Sequence, residues 1–302
     1  MKMILNALSE IYAQNQVLVR EAMSRHTSFK IGGEAKILVI PETIEQIAKT
    51  IELCKRYNEP YFVMGNGSNI LVDDDGIDAL VIKISESFGN VEIYGTEVIA
   101  EAGILLSKLS KIVMRESLQG FEFASGIPGT LGGAVFMNAG AYGGEMKDVV
   151  SWVEVLTTEG TILKIDGESM AFDYRTSLVR EHGWIVLRVA MRFEHGNFEI
   201  IKEITNELTK KRVSRQPLEL PSAGSTFKRP PGHYAGELIE GAGLRGLRHG
   251  DAQVSEKHCG FIVNVGNATC KQVMDLISVV QKVVMDTFGV ELEREVRIFG
   301  KE

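Results

Sequence analysis

Between Ala124 and Gly144 the chain sets glycines at 126, 129, 132, 133, 140, 143 and 144 into a run that carries no charged residue. Each glycine costs conformational entropy when it is ordered, which argues against a regular helix or strand here. A flexible linker would not hold Ile127, Leu131, Val135, Phe136 and Met137 along its length. A backbone of this kind suits a close approach to a planar or pyrophosphate-bearing cofactor. A second glycine turn lies upstream. The apolar strand Tyr61–Met64 runs into Gly65-Asn66-Gly67-Ser68-Asn69, where main-chain N–H groups stand clear of side chains and suit phosphate oxygens. It lacks the third glycine of the dinucleotide fingerprint. On its own this pentapeptide reads as a tight turn.

The surrounding pattern alternates helices and strands. Ile4, Leu8, Ile11 and Tyr12 recur at helical spacing and predict an N-terminal helix reaching Glu21. A strand over 35–40 is stopped by Pro41, and Thr43–Tyr57 is an amphipathic helix with Ile44, Ile47, Ile51 and Leu53 on its apolar side. Short strands follow at 71–72, 80–82 and 91–100, then a helix at 105–114. Residues 152–156 and 161–165 alternate around Glu159-Gly160 as a hairpin. A strand at 184–193 ends in a boundary at 194–197. Residues 199–213 are helical, and the basic end Lys210-Lys211-Arg212 reads as a match to the helix dipole. Beyond come a helix at 234–239, a strand at 261–265 and a long helix at 270–288. The alternation over 290–300 puts Glu291, Glu293 and Glu295 on one face, where one of the three can turn into a site.

At 302 residues the chain exceeds a typical single core, so two or three domains are expected. A net charge of −7 argues against a nucleic-acid partner, which needs a basic surface. Cys54, Cys259 and Cys270 are odd in number and lack paired spacing, so they read as buried thiols rather than as a disulfide or metal framework. The first residues lack a secretory signal pattern, and no apolar run approaches the ~18 residues of a membrane span. A cytoplasmic protein is the expectation.

Two stretches carry candidate chemistry. In Phe172-Asp173-Tyr174-Arg175-Thr176-Ser177 an arginine stands in a loop, either in a weak surface pair with Asp173 or as a planar cation for an anionic ligand. In the stretch 221–231, Ser225 sits among small residues ahead of Phe227, Lys228 and Arg229, with prolines at both ends. The plain reading is a surface turn with solvated cations. Phe227 points instead to a short strand that would hold a hydroxyl still.

These segments, in this order, resemble the UDP-N-acetylenolpyruvoylglucosamine reductase family over essentially the whole chain. The resemblance rests on Thr27 to Gly33, Gly65 to Asn69, Gly126 to Gly144, Tyr174-Arg175-Thr176-Ser177, Gly224-Ser225-Thr226-Phe227-Lys228, and Leu292 to Val296. It implies an α+β fold with a two-part FAD-binding region of the vanillyl-alcohol-oxidase type and a C-terminal α+β substrate domain. The implied boundaries are 1–86, 87–197 and 198–302. FAD would lie on Gly65, Asn66, Gly67, Ser68 and Asn69, and on Ser125, Gly126, Ile127, Pro128, Gly129, Gly132, Gly133 and Ala134. NADPH is the implied reductant, a UDP-sugar enolpyruvyl ether the substrate and UDP-N-acetylmuramate, a peptidoglycan precursor, the product.

The catalytic positions of the family fall on Arg175, Ser225 and Glu295. The resemblance implies that Arg175 and a protonated Glu295 stabilise negative charge on the substrate while Ser225 delivers a proton. Arg175, Lys228, Arg229 and His258 would touch substrate, and no metal and no oligomeric partner are implied. Two departures stand out. Only residues 179–196 occupy the place where some members insert a segment with a nucleotide-covering tyrosine, and Arg229 stands where others have asparagine. The competing reading is another FAD oxidase or dehydrogenase of the same flavin fold, or a flavin-binding module without turnover. Neither glycine segment contains the histidine or cysteine that often tethers FAD in such oxidases.

Overall fold

A computed structural model describes residues 2–300. Packing divides the chain into two units, each assembled from separate pieces of sequence. Met1–Leu18, Leu38–Asn66 and Leu80–Arg212 make the first, and Val19–Ile37, Gly67–Ala79 and Val213–Glu302 make the second.

The first unit opens with α1 (Lys2–Leu8), which stops well short of the expected Glu21. A single turn at Gln14–Gln16 leads into strand β1 (Val17–Ala22). Two effects end the helix early. Val17 and Val19 are β-branched and favour a strand. The Ile11 carbonyl accepts from the Gln46 amide at 3.0 Å and the Tyr12 hydroxyl meets Thr50 at 2.6 Å, so tertiary bonds replace helical ones. Strand β2 (Glu34–Val39) precedes α2 (Ile44–Arg56), whose N-cap Thr43 accepts from the Gln46 N–H at 3.1 Å. Strand β3 (Tyr61–Met64) follows in this unit, β4 (Ile70–Val72) falls in the second unit, and β5 (Ile77–Lys83) runs from the second unit's sequence into the first's. β3 and β5 pair in parallel from Tyr61 opposite Leu80 to Met64 opposite Lys83, within a sheet ordered β1-β2-β5-β3.

A second sheet fills the rest of this unit. β6 (Val91–Tyr94) and β7 (Glu97–Glu101) form a hairpin, and α3 (Leu106–Arg115) follows. β8 (Val150–Leu156) and β9 (Ile162–Asp166) form the expected hairpin, with Trp152 opposite Asp166 and Leu156 opposite Ile162. Together with β10 (Ile185–Arg192) they make a five-stranded sheet ordered β9-β8-β10-β7-β6. Leu187, Val189, Ala190 and Met191 of β10 are all fully buried. Burying a side chain of the Val, Leu or Met size contributes about 1.5–3 kcal/mol, so this strand anchors the unit.

The glycine-rich run does contain a regular element, contrary to expectation: α4 spans Leu131–Phe136. The glycines there serve packing. A Cβ on Gly132 would lie 2.9 Å from the Ala102 Cβ, and the Gly132 N–H donates to the Ala102 carbonyl at 2.8 Å. Close approach to the neighbouring backbone offsets the entropy that glycine costs a helix. A short helix α5 (Leu178–His182) follows, and α6 (Phe198–Arg215) carries the chain onward.

The second unit packs α7 (Ala235–Gly241) and α8 (Cys270–Phe288) on a small antiparallel sheet of Arg248–His249, β11 (Ala252–Val254) and β12 (Ile262–Asn264). α8 starts and stops where the sequence predicts. Thr269 and Gln272 cap each other reciprocally at 3.1 and 3.2 Å, and Gly289 closes the helix in the left-handed region at φ +66°. The apolar stripe of α8, Val273, Leu276, Ile277, Val280 and Val284, is buried in the core of this unit. The terminal stretch is a regular strand only at β13 (Arg297–Phe299), which pairs in parallel with β4. The alternation ahead of it persists in extended chain: Leu292 and Val296 are buried, Glu291 and Glu293 exposed, and Glu295 half-buried. All three cysteines are buried free thiols, and burial pushes Cys54 and Cys270 up to about 12.

Candidate active site

In the second unit the stretch 221–231 is extended chain stitched on both sides, rather than a regular strand. On one side Asn264 donates to the Pro221 carbonyl at 2.9 Å, Ser222 bridges Val263, and the Thr226 N–H donates to Gly260 at 2.8 Å. The buried Thr226 hydroxyl accepts from the Ile262 N–H at 3.0 Å. On the other side Phe227 bridges Arg294, the Glu295 N–H donates to Thr226 at 2.9 Å and the Lys228 N–H donates to Glu293 at 2.8 Å. Ser225 therefore sits one residue from a ladder rung that holds Glu295. Gly224 precedes it at φ +76°, a conformation that a side chain would strain. Asn69 braces the same ladder: its amide donates to the Glu295 carbonyl at 3.3 Å, and its carbonyl accepts from Arg297 at 3.1 Å.

The other residues of this stretch have partners of their own. Lys228 pairs with the exposed Glu293. Such a pair contributes only about 0–1 kcal/mol, so the ammonium is readily exchanged to an anion. The Arg229 guanidinium lies 4.0 Å from the Tyr234 ring centre. His258 sits beside Ser225: a Cβ on Gly260 would lie 3.0 Å from His258 Cε1 and 3.6 Å from Ser225 Oγ. His258 Nδ1 accepts from the Gly260 N–H at 3.1 Å, and desolvation lowers the imidazole pKa.

In the first unit Arg175 tops a tight turn at φ +58°. Asp173 and Thr176 exchange backbone bonds at 3.3 and 3.2 Å beneath it, and the Arg180 guanidinium donates to the Arg175 carbonyl. Ser177 is fully buried, bonds the Phe136 carbonyl at 2.9 Å and caps α5. Asn138, at the end of the glycine-rich run, was not singled out by the sequence, yet it fixes this loop. It is buried at φ +41°, donates to Asp173 O at 3.2 Å and Glu145 Oε2 at 3.0 Å, and accepts from the Lys147 N–H at 3.0 Å. An asparagine set between two glycine clusters was the available signal, since asparagine tolerates the left-handed region.

The glycine segments meet within the first unit. A Cβ on Gly65 would stand 2.2 Å from Thr130 Oγ1, so the turn after β3 lies against the start of α4. A Cβ on Gly133 would meet only Thr130 Oγ1, at 3.7 Å, so that face of α4 opens to free space. Gly129 takes φ +120° between them. Bare backbone from two separate turns is thereby brought side by side, an arrangement that fits a dinucleotide cofactor. Gly67 takes φ +67°, and Ser68 and Asn69 continue into the second unit.

An α+β chain with such a cradle belongs among FAD-binding proteins, and the family described as FAD binding domain matches residues 35–166. A second family, UDP-N-acetylenolpyruvoylglucosamine reductase, C-terminal domain, matches residues 216–299. The UDP-N-acetylenolpyruvoylglucosamine reductase of Alkaliphilus oremlandii is 57% identical over 98% of this chain and 97% of its own. That of Caldanaerobacter subterraneus is 51% identical over 100% and 99%. The crystal structure of the reductase from Thermus caldophilus matches with a TM-score of 0.79 at 36% identity, covering 94% of this chain and 98% of that one. The chain belongs to the UDP-N-acetylenolpyruvoylglucosamine reductase family. Among the described residues, no helix is long and apolar enough to cross a membrane.

Proposed function

We propose that this chain reduces UDP-N-acetylglucosamine enolpyruvate to UDP-N-acetylmuramate, a step in peptidoglycan precursor synthesis, with FAD as bound cofactor and NADPH as reductant. The observation that supports this most directly is the ladder that fixes Glu295 against Thr226, beside Ser225. An FAD-binding protein that only stored flavin would have no use for a hydroxyl and a carboxyl held this way.

FAD when bound supplies a hydride, taken from NADPH, to the methylene carbon of the enolpyruvyl group. Negative charge then develops on the adjacent carbon and spreads into the substrate carboxylate. Arg175 offers a fixed guanidinium to that charge, and Glu295 in its protonated form offers a hydrogen bond. Ser225 Oγ delivers the proton to the carbon. An aliphatic hydroxyl is a weak acid, so this step depends on a strongly basic carbon and on exclusion of water, and general-acid help of this kind is worth ~10²–10⁴-fold. Lys228, exchanged from Glu293, and Arg229 hold the diphosphate, with His258 lining the substrate side. Gly65, Asn66, Gly67, Ser68 and Asn69, with Ser125–Gly129 and Gly132–Ala134, carry the flavin nucleotide.

The domain reading that goes with this function is 1–86 and 87–197 for FAD and 198–302 for substrate. It is supported by the four-stranded, five-stranded and three-stranded sheets, each of which lies within one of these ranges. The working form in this reading is a cytoplasmic monomer. The test is anaerobic: the purified yellow protein should be bleached by NADPH and recover its colour on adding the enolpyruvyl sugar nucleotide. Bleaching without recovery sinks the assignment.

A further inference from the structure

Neither family match reaches residues 167–215, and one side chain there has no place in the function above. Arg212 lies in the last turn of α6, among residues that read as a solvated basic helix end. Lys211 behaves that way and pairs with Glu207 at 2.6 Å. Arg212 turns the other way. A Cβ on Gly126 would lie 2.9 Å from Arg212 Cδ, 3.4 Å from Nη1 and 3.7 Å from Nε. The guanidinium thus rests on the bare backbone of Gly126, and it can do so only because position 126 has no side chain.

The charge state of this group is unusual for its place. Arg212 is half-buried, and desolvation lowers its pKa. No carboxylate pairs with it among the described residues; its electrostatic neighbour is the Tyr142 phenol, from the far end of the same glycine-rich segment. A cation withdrawn from water without a counter-charge is costly to the fold. Lysine at such a place would shed its proton, whereas arginine stays charged and presents a planar fork of donors. A retained charge of this kind, laid along a backbone that a nucleotide can approach, fits an anionic group of the ligand.

We propose that Arg212 is the cationic contact for the diphosphate of bound FAD, held at the Gly126 loop by the absence of a Cβ. The inference rests on the FAD reading above and adds a residue to it. Arg212 balances the phosphate charge, and the ligand in turn removes the cost of the half-buried cation.

The test is a binding experiment on flavin-free protein, read by quenching of flavin fluorescence and independent of turnover. Wild type, Arg212→Met and Arg212→Lys are each titrated with FAD and with riboflavin, which has the ring but no phosphate. Arg212→Met should weaken FAD binding by about 10- to 100-fold and leave riboflavin within about twofold of wild type, with Arg212→Lys between. The salt dependence of FAD binding should flatten in the Met variant, since one fewer cation is matched to phosphate. Equal weakening for both ligands would show that Arg212 props the loop, and unchanged FAD affinity would show that it touches no phosphate; either overturns the proposal. Should Arg212→Met fail to fold, the FAD-to-riboflavin comparison in Arg212→Lys decides the same question. Failure of the wild type to bind FAD would instead sink the flavin reading.

Discussion

The Glu295 N–H donates to the Thr226 carbonyl at 2.9 Å, and through that bond the carboxylate segment and the serine segment become one piece of structure. Neither segment is a regular strand. Each is fixed by several rungs, and Thr226 is the shared post, tied also to Gly260 and Ile262. A serine whose neighbour is pinned on two sides has little freedom to spend before it acts, which is the form of pre-organisation that catalysis rewards.

Replacing Ser225 by alanine should separate the two halves of the reaction. Reduction of the bound flavin by NADPH should stay close to wild type, while reoxidation by the enolpyruvyl sugar nucleotide should slow by ~10²–10⁴-fold. Stopped-flow absorbance at the flavin band resolves the two. Equal loss in both would make Ser225 a structural residue.

Gly65→Ala should cost cofactor before it costs fold. The new methyl would meet Thr130 Oγ1 at 2.2 Å, so the two turns must part. Overpacking of this kind costs about 1–3 kcal/mol, and here it falls on the cradle. The purified variant should show a lower flavin-to-protein absorbance ratio, and Gly65→Ala combined with Thr130→Ser, which keeps Oγ but drops the methyl, should not recover it. Recovery by Gly65→Ala with Thr130→Ala, which removes the clashing oxygen, would confirm the contact as the cause.

His258 should make stability fall on the acid side. Desolvation holds its folded pKa below the usual 6.5, and the nearby Arg245 acts in the same direction. At pH above 6.5 the imidazole is neutral in both states and imposes no penalty. Below 6.5 the unfolded chain takes up a proton that the folded one resists, so stability drops until the folded value is passed. Denaturant melts between pH 8 and pH 5, approximate limits that bracket the shift, should show a smaller decline for His258→Gln than for wild type. Parallel curves would rule this out.

Thr269→Ala removes half of the reciprocal cap on α8. A lost N-cap costs about 0.5–2 kcal/mol, and α8 buries its stripe in the core of the second unit, so the thermal midpoint should drop by several degrees. Thr269→Ser should restore most of it.

What the sequence makes readable here follows from range. α2, α8 and the β8–β9 hairpin announce themselves through local signals: a cap, a periodic stripe, a glycine turn at 160. The site positions Arg175, Ser225 and Glu295 are legible only through the order of several weak motifs. Other features depend on partners far along the chain and stay hidden. α1 ends early because Gln46 and Thr50 claim bonds around Ile11 and Tyr12. α4 survives its glycines because Ala102 lies against one of them. Arg212 looks like a helix end until Gly126 is set beneath it, and Asn138 like one small residue among many until the Asp173 turn hangs from it.

The parallel pairing of β13 with β4 also bears on how the chain is made. β4 is synthesised well before its partner β13, which lies far along the chain. Until β13 emerges, the edge of Ile70–Val72 that it later covers waits with its hydrogen-bonding groups unclaimed, the condition in which strands recruit wrong neighbours. Completion of the second unit therefore waits for β13, and a chain truncated before Arg297 should be recognised in the cell as unfinished.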